Sequence, residues 1–245
     1  VKIKAVIFNH NQRQTADVLF ERLSTEFDTA LFDSGSDTDQ VSPHTTEAFE
    51  NLYWTGCWNK ACEIYSAYDV IWGLGGDCSL ENPPEQYRQA IESAFPFGLW
   101  SPTVSGRAHD YMQPRLAIGR IFSVHYLEGM AFAISKELRD ASAPFDARDY
   151  IGYSHDRRLS FVSRQLRLKN ILDGRVTVNH PPSEKYDREE AKKLMEASLS
   201  ASFGPDWADT LDWWPQRTVS FLGNAISEVI IADSTKRFLA PFHRK

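Results

Sequence analysis

Cysteine is scarce in this chain: Cys57, Cys62 and Cys78 make three, an odd number without the paired spacing of a zinc ribbon. That excludes a disulfide scaffold and points to a reducing compartment. Long apolar runs are missing as well. No stretch approaches the roughly 20 uninterrupted apolar residues of a membrane helix, and no charged-then-apolar signal opens the chain. Nor is there an excess of basic charge. Lys and Arg total 27 against 33 for Asp and Glu, a net charge of −6, which argues against nucleic acid as a partner held by phosphate neutralisation. Internal repeats and low-complexity tracts are also absent. The expected location is the cytoplasm, with a peripheral membrane contact left open. The chain opens at Val1, which leaves room for a trimmed leading segment.

What the sequence does have is core material. Hydrophobic residues make up 42% and aromatic residues 13% of 245 positions, enough to bury one large α/β domain. The apolar run Ile3 to Phe8, ended by Asn9-His10-Asn11, predicts a strand buried on both faces. Thr15 is placed to cap a helix carrying Ala16, Leu19, Phe20 and Leu23 at three- and four-residue spacing. A second strand, Thr29 to Phe32, runs into Asp33-Ser34-Gly35-Ser36. A helix from about Trp54 to Ala67 then precedes a third strand, Asp69 to Leu74, which runs into Gly75-Gly76-Asp77. Strand, helix and strand in such short order is a parallel βαβ unit.

Further along, helices are expected over Glu85 to Ala94, Glu128 to Arg139 and Arg157 to Leu168. Strands are expected over Gly98 to Val104, Leu116 to Val124 and Arg175 to Val178. Beyond Ser183 the pattern changes to a charged helix around Glu189 to Glu196, followed by Trp207, Trp213 and Trp214. The expected organisation is an α/β domain over residues 1–182 with a helical extension over 183–245 packed on it. The three tryptophans could pack that extension, form a homodimer contact or touch a membrane surface.

Three strand tips carry polar residues, and open α/β sheets bind ligands at that edge. Asn9, Asp33 and Asp77 are therefore candidates for one crevice. A carboxylate such as Asp77 after two glycines can join phosphate oxygens around a divalent cation, while the glycines let a diphosphate approach the backbone. Either segment, taken alone, is also an ordinary turn.

The order of these features resembles glycosyltransferase family 2. The matching segments are Phe8-Asn9-His10-Asn11, Asp33-Ser34-Gly35-Ser36, Gly56-Cys57-Trp58-Asn59 and Gly75-Gly76-Asp77. Downstream, Leu127-Glu128-Gly129, Gly152-Tyr153-Ser154-His155-Asp156 and Asn179-His180 look like the acceptor, base and metal segments. The resemblance covers roughly residues 3 to 182. It implies a GT-A fold, a Rossmann-like and mostly parallel central sheet flanked by helices, and an inverting glycosyltransferase of polysaccharide or glycan synthesis. It further implies a nucleoside-diphosphate sugar donor held by Asn9, Asp33, Ser36, Asn59, Gly76 and Asp77. Mn2+ or Mg2+ would sit on Asp77 and His180. Glu128, Gly129 and His155 would contact a glycan or lipid-linked acceptor, and Asp156 would be the catalytic base. Apart from the resemblance, Trp54, Trp58, Trp72 and Trp100 lie near the expected site, where Trp100 could stack on an acceptor sugar, although core packing is the ordinary role of a tryptophan.

Two departures stand out. Gly75 replaces the first acid of the metal motif, and His155 replaces an acid beside the base, with Asp146 or Asp149 as fallback bases. A first alternative is an inactive nucleotide-sugar or glycan-binding domain of the same fold. A second is a sugar nucleotidyltransferase, which would want a glycine-rich basic loop where this chain has Asn9 to Arg13.

Overall fold

The computed structural model describes residues 1–106, 119–181, 187–211, 219–221 and 228–229. β1 (Ile3–Asn9) is buried at all seven positions. Because strand side chains alternate, its residues feed two cores. Ile3, Ala5 and Ile7 join a cluster with Leu19, Leu23, Tyr87, Ile91, Trp72 and Trp100. Val6 and Phe8 join the other, with Phe32, Trp58, Phe132, Leu138 and Leu159. Each fully buried Leu, Ile or Phe stabilises the fold by about 1.5–3 kcal/mol, so the continuous apolar run fixes β1 as an interior strand, between β4 and β2.

α1 (Arg13–Leu23) and α3 (Pro84–Ala94) cover the first face. α2 (Tyr53–Ile64) covers the second. β2 (Asp28–Ser34) and β4 (Val70–Gly75) flank β1 in parallel, with Asn9 opposite Asp33 and Phe8 opposite Gly75. This level register brings the three tips to one edge. β3 (Glu47–Phe49) adds parallel to β2. β5 (Ser79–Leu80) pairs antiparallel with the long β9 (Asn170–His180).

On the other side of β4 the sheet is mixed. β8 (Ala133–Ser135) lies antiparallel between β4 and β6 (Leu99–Gly106), and β9 runs parallel to β6 with a register shift between Pro102 and Thr103. β7 (Ile121–Val124) joins β9 antiparallel. The expected helix over Glu128 to Arg139 is corrected here. Its centre is strand β8, where two neighbouring strands take up its backbone hydrogen bonds, and only α4 (Lys136–Ser142) is helical. Ser135 caps α4, its side chain accepting from the Leu138 N–H.

The Thr15 cap is likewise corrected: Gln12 is the N-cap of α1, and its N–H donates to Asn9 Oδ1 at 3.0 Å. The strand expected from Leu116 is described only from Ile121 onward, residues 107–118 lying outside the described set. α5 (His155–Gln165) leads into β9.

The extension begins with α6 (Arg188–Phe203), capped by Asp187, and α7 (Trp207–Thr210). It is not wholly helical, because β10 (Val219–Phe221) pairs with β7 and β11 (Glu228–Val229) pairs with β10. Trp207 packs against Met195, Leu199 and Leu211, so its large ring serves packing, while Trp213 and Trp214 lie outside the described residues. Among the described residues, no helix is long and apolar enough to cross a membrane.

Candidate active site

A cleft of about 1300 Å³ opens at the C-terminal edge of β1, β2 and β4. Of the residues expected there, Asn9, Gly76, Asp77, Glu128, Gly129, Asp156 and His180 line it. Asp33, Ser36, Asn59, His155 and Trp100 do not.

Asp33 is buried behind the wall, tied to the cleft-lining Asn9 and to the half-buried Ser36. Asn9 Nδ2 donates to Asp33 Oδ2 at 2.9 Å and Ser36 Oγ at 3.3 Å, and the Ser36 N–H donates to Asp33 Oδ1 at 3.0 Å. A carboxylate whose oxygens are occupied this way holds two strand tips together, and Ser34 faces the cleft from β2 instead. Gly76 packs closely: a Cβ there would lie 3.2 Å from the Phe8 carbonyl oxygen and 3.3 Å from Asn9 Cα, so a larger residue would press the β4 turn away from the β1 tip by a few tenths of an ångström.

Asp77 Oδ2 and His180 Nε2 stand 3.7 Å apart, each partly exposed to the cleft. Asp77 Oδ1 leans into the space a side chain at Gly75 would need, 2.7 Å from an added Cβ. A side chain at position 75 would require the Asp77 carboxylate to turn aside. One carboxylate oxygen and one imidazole nitrogen fit a divalent ion such as Mn2+ or Mg2+ whose other positions are filled by phosphates and water. An all-protein cage is not built, since among the described residues no group of three or more His, Cys, Asp or Glu could hold a metal.

Asp156 sits in the first turn of α5, 7% exposed. Its Oδ2 accepts from the Tyr126 hydroxyl at 2.6 Å and from the Gly129 N–H at 3.2 Å, and its Oδ1 accepts from the Arg157 N–H at 2.7 Å. Burial pushes its carboxyl up to about 6 and Glu128 adds to the rise, while Arg157 and the Tyr126 hydrogen bond hold it down. A carboxyl titrating there is suited to taking a proton near neutrality.

The loop before α5 is fixed by Gly152, whose φ is +91° and whose Cβ would meet the Trp54 ring at 2.3 Å. Only glycine permits both the backbone and the contact.

The fallback bases have other work. Asp146 is held down to about 2, chiefly by hydrogen bonds from Arg148. Asp149 is buried and accepts from the N–H groups of Gly152 and Ser154.

Three expected contacts are corrected. His155 is one residue, and so roughly 100°, around the helix from Asp156. Its ring is buried among Phe145, Trp58 and Phe132, both nitrogens lack hydrogen-bond partners among the described residues, and burial depresses its protonation to about 3. Trp100 is 0% exposed on a central strand, and its Nε1 donates to Asp173 Oδ2 at 3.2 Å. Asn59 spends both ends of its amide on the Phe145 backbone, at 3.0 Å and 2.6 Å.

The cleft also has walls that no sequence pattern marked. Tyr53 and Tyr150 pack at its rim with ring centroids 4.5 Å apart, and Tyr53 is 51% exposed with φ of +53°. A non-glycine residue held at positive φ was the kind of signal only coordinates could give.

Fold and cleft together define a GT-A-like α/β domain with a cleft at the carboxyl edge of its sheet. Three solved structures share the architecture. They are GalNAc-T7 with UDP, GalNAc and Mn2+ (TM-score 0.61, 12% identity), the mannosyltransferase PcManGT from Pyrobaculum calidifontis with GDP-Man and Mn2+ (0.55, 11%), and S. aureus TarS 1-349 with UDP-GlcNAc (0.55, 10%). The alignments cover 86%, 86% and 87% of this chain and 54%, 72% and 76% of those chains, so it spans about half the length of the first. At such identity the likeness shows the fold. No protein-family model matches the sequence. No curated protein matches it either.

Proposed function

We propose that the chain transfers a glycosyl group from a nucleoside-diphosphate sugar to an acceptor hydroxyl with inversion. The observation that carries this reading is one cleft shared by Asp156 and the Asp77–His180 pair. The acceptor oxygen attacks the anomeric carbon, the bond from that carbon to the diphosphate oxygen breaks, and the acceptor proton passes to the Asp156 carboxylate. Asp77 and His180 would hold Mn2+ or Mg2+, which supplies Lewis-acid stabilisation of the departing diphosphate when bound. Tyr53 and Tyr150 present flat faces on which a base or sugar ring can stack. The nucleotide and nucleotide-sugar ligands of the three similar structures support the donor class. The acceptor is a glycan or lipid-linked glycan.

The binding-only alternative was motivated by Gly75. The Asp77–His180 pair weakens that motive, because a carboxylate and an imidazole still stand together at the cleft without an acid at position 75. The nucleotidyltransferase reading has no support at Asn9 to Arg13, which contains no glycine.

The test is a thermal-shift screen of UDP, GDP, UDP-GlcNAc and GDP-mannose with and without Mn2+, followed by nucleotide-release assays on a panel of acceptors. Saturation at a hundred times Kd stabilises by about 2.7 kcal/mol, a readily measured shift. Binding without turnover on any acceptor would make the chain a binding module instead.

A further inference from the structure

Asp156 is held by an arrangement more specific than burial requires. A carboxylate oxygen has about two lone-pair sites. At Oδ2 both are taken, by the Tyr126 hydroxyl at 2.6 Å and the Gly129 N–H at 3.2 Å. At Oδ1 one is taken, by the Arg157 N–H at 2.7 Å, with the Arg157 guanidinium Nη1 farther off at 3.8 Å.

We infer that Tyr126 is the positioning residue of the base: with the Gly129 N–H it fills Oδ2 of Asp156 and thereby assigns proton uptake to Oδ1. The inference rests on the proposed role of Asp156. Tyr126 lines the same cleft, so its hydroxyl reaches Asp156 from the ligand side. Its segment is anchored from beneath. Leu127 N–H donates to Ser160 Oγ at 3.2 Å, and Asn170 Nδ2 donates to the His125 carbonyl at 3.2 Å and to the Ser160 carbonyl at 3.0 Å. These bonds tie the Tyr126 segment to α5, which carries Asp156, and to β9. The Arg157 guanidinium lies over the Tyr126 ring at 5.6 Å and fixes the ring plane. The charged and titratable groups acting on Asp156 are Arg157 from α5 and Tyr126 and Glu128 from this segment.

A short hydroxyl hydrogen bond favours the carboxylate over the acid, so removing it must raise the pH at which Asp156 ionises. Tyr126→Phe keeps the ring under Arg157 and deletes only the donor. The primary readout is direct titration of the Asp156 carboxyl by carbon NMR in the full chain, which needs no substrate. The expected result is an upward shift of about one pH unit, the size of one charge-assisted hydrogen bond. The pH profile of UDP release from UDP-GlcNAc should move with it, the rise in rate shifting upward by about one pH unit so that the variant is several-fold slower near pH 6.

Replacing Tyr126 by a fluorinated tyrosine strengthens the donor without removing it and should shift the titration the other way. This arm also guards against misfolding of the phenylalanine variant. An Asp156 titration that stays in place in both variants would overturn the inference. A titration that moves as expected in a chain that releases no nucleotide would uphold the positioning role and refute the proposed transferase reaction.

Discussion

Replacing Asp156 by Asn should cost activity and return stability, and the two effects can be read separately. The carboxyl titrates at about 6 in the folded chain against an ordinary 3.8, with burial the main cause. A carboxyl raised on folding favours the native state while it is protonated, so its contribution is fully present below pH 3.8 and is lost as pH rises through 6. By pH 7 the buried charge costs the fold about 3 kcal/mol, of which about 2 kcal/mol develops between pH 4 and pH 7. An amide does not ionise and escapes this cost. The difference in melting temperature between Asp156→Asn and the parent should therefore move in favour of the variant by roughly 4–8 °C between those two pH values. Any fixed penalty of fitting the amide against Tyr126, Gly129 and Arg157 is the same at both pH values and cancels. In the transfer assay the same variant should lose about 10²–10⁴-fold in kcat, and the parent should gain activity as pH rises through about 6. A melting difference that is flat from pH 4 to pH 7 would refute the reasoning, because the carboxyl would then be no more desolvated than in the unfolded chain.

Three further outcomes are expected. His155→Leu removes a buried imidazole whose protonation is depressed to about 3; since the fold holds only the neutral ring, the parent loses stability as pH falls below 6.5, and differential scanning calorimetry should show the variant gaining about 2 kcal/mol on the parent between pH 7 and pH 5. Asp77→Ala and His180→Ala should each abolish the Mn2+-dependent part of the melting shift produced by UDP or GDP, and a shift that persists with full Mn2+ dependence would remove them as ligands. Gly152→Ala should destabilise by about 1–3 kcal/mol in urea unfolding, from the strain of positive φ and the clash with Trp54, and reduce kcat by loosening the loop ahead of Asp156.

The sequence by itself determined the parallel part of the sheet. β1, β2 and β4 are continuous apolar runs ending in polar residues, and such runs are stable only between two covered faces, so the parallel unit and the polar edge where its strands end follow from local pattern. Asp77 is marked as a candidate by its place at such a strand end, whereas Asp156 is marked by the resemblance of its segment to that of a glycosyltransferase family. What the tertiary structure alone decided was direction and competition for partners. β8 is strand because β4 and β6 stand on either side of it, although its residues read as part of a helix. Asn59 and Trp100 face partners that lie 86 and 73 residues away, and nothing within either segment encodes them. His155 and Asp156 are neighbours in sequence, yet the turn of the helix sends one ring into the core and leaves the other side chain in the cleft. Tyr126 becomes Asp156's hydrogen-bond donor across 30 residues, through a loop whose course is set by Ser160 and Asn170. Local periodicity can state which side chains must be buried, but which ones meet is settled only when the whole sheet has closed.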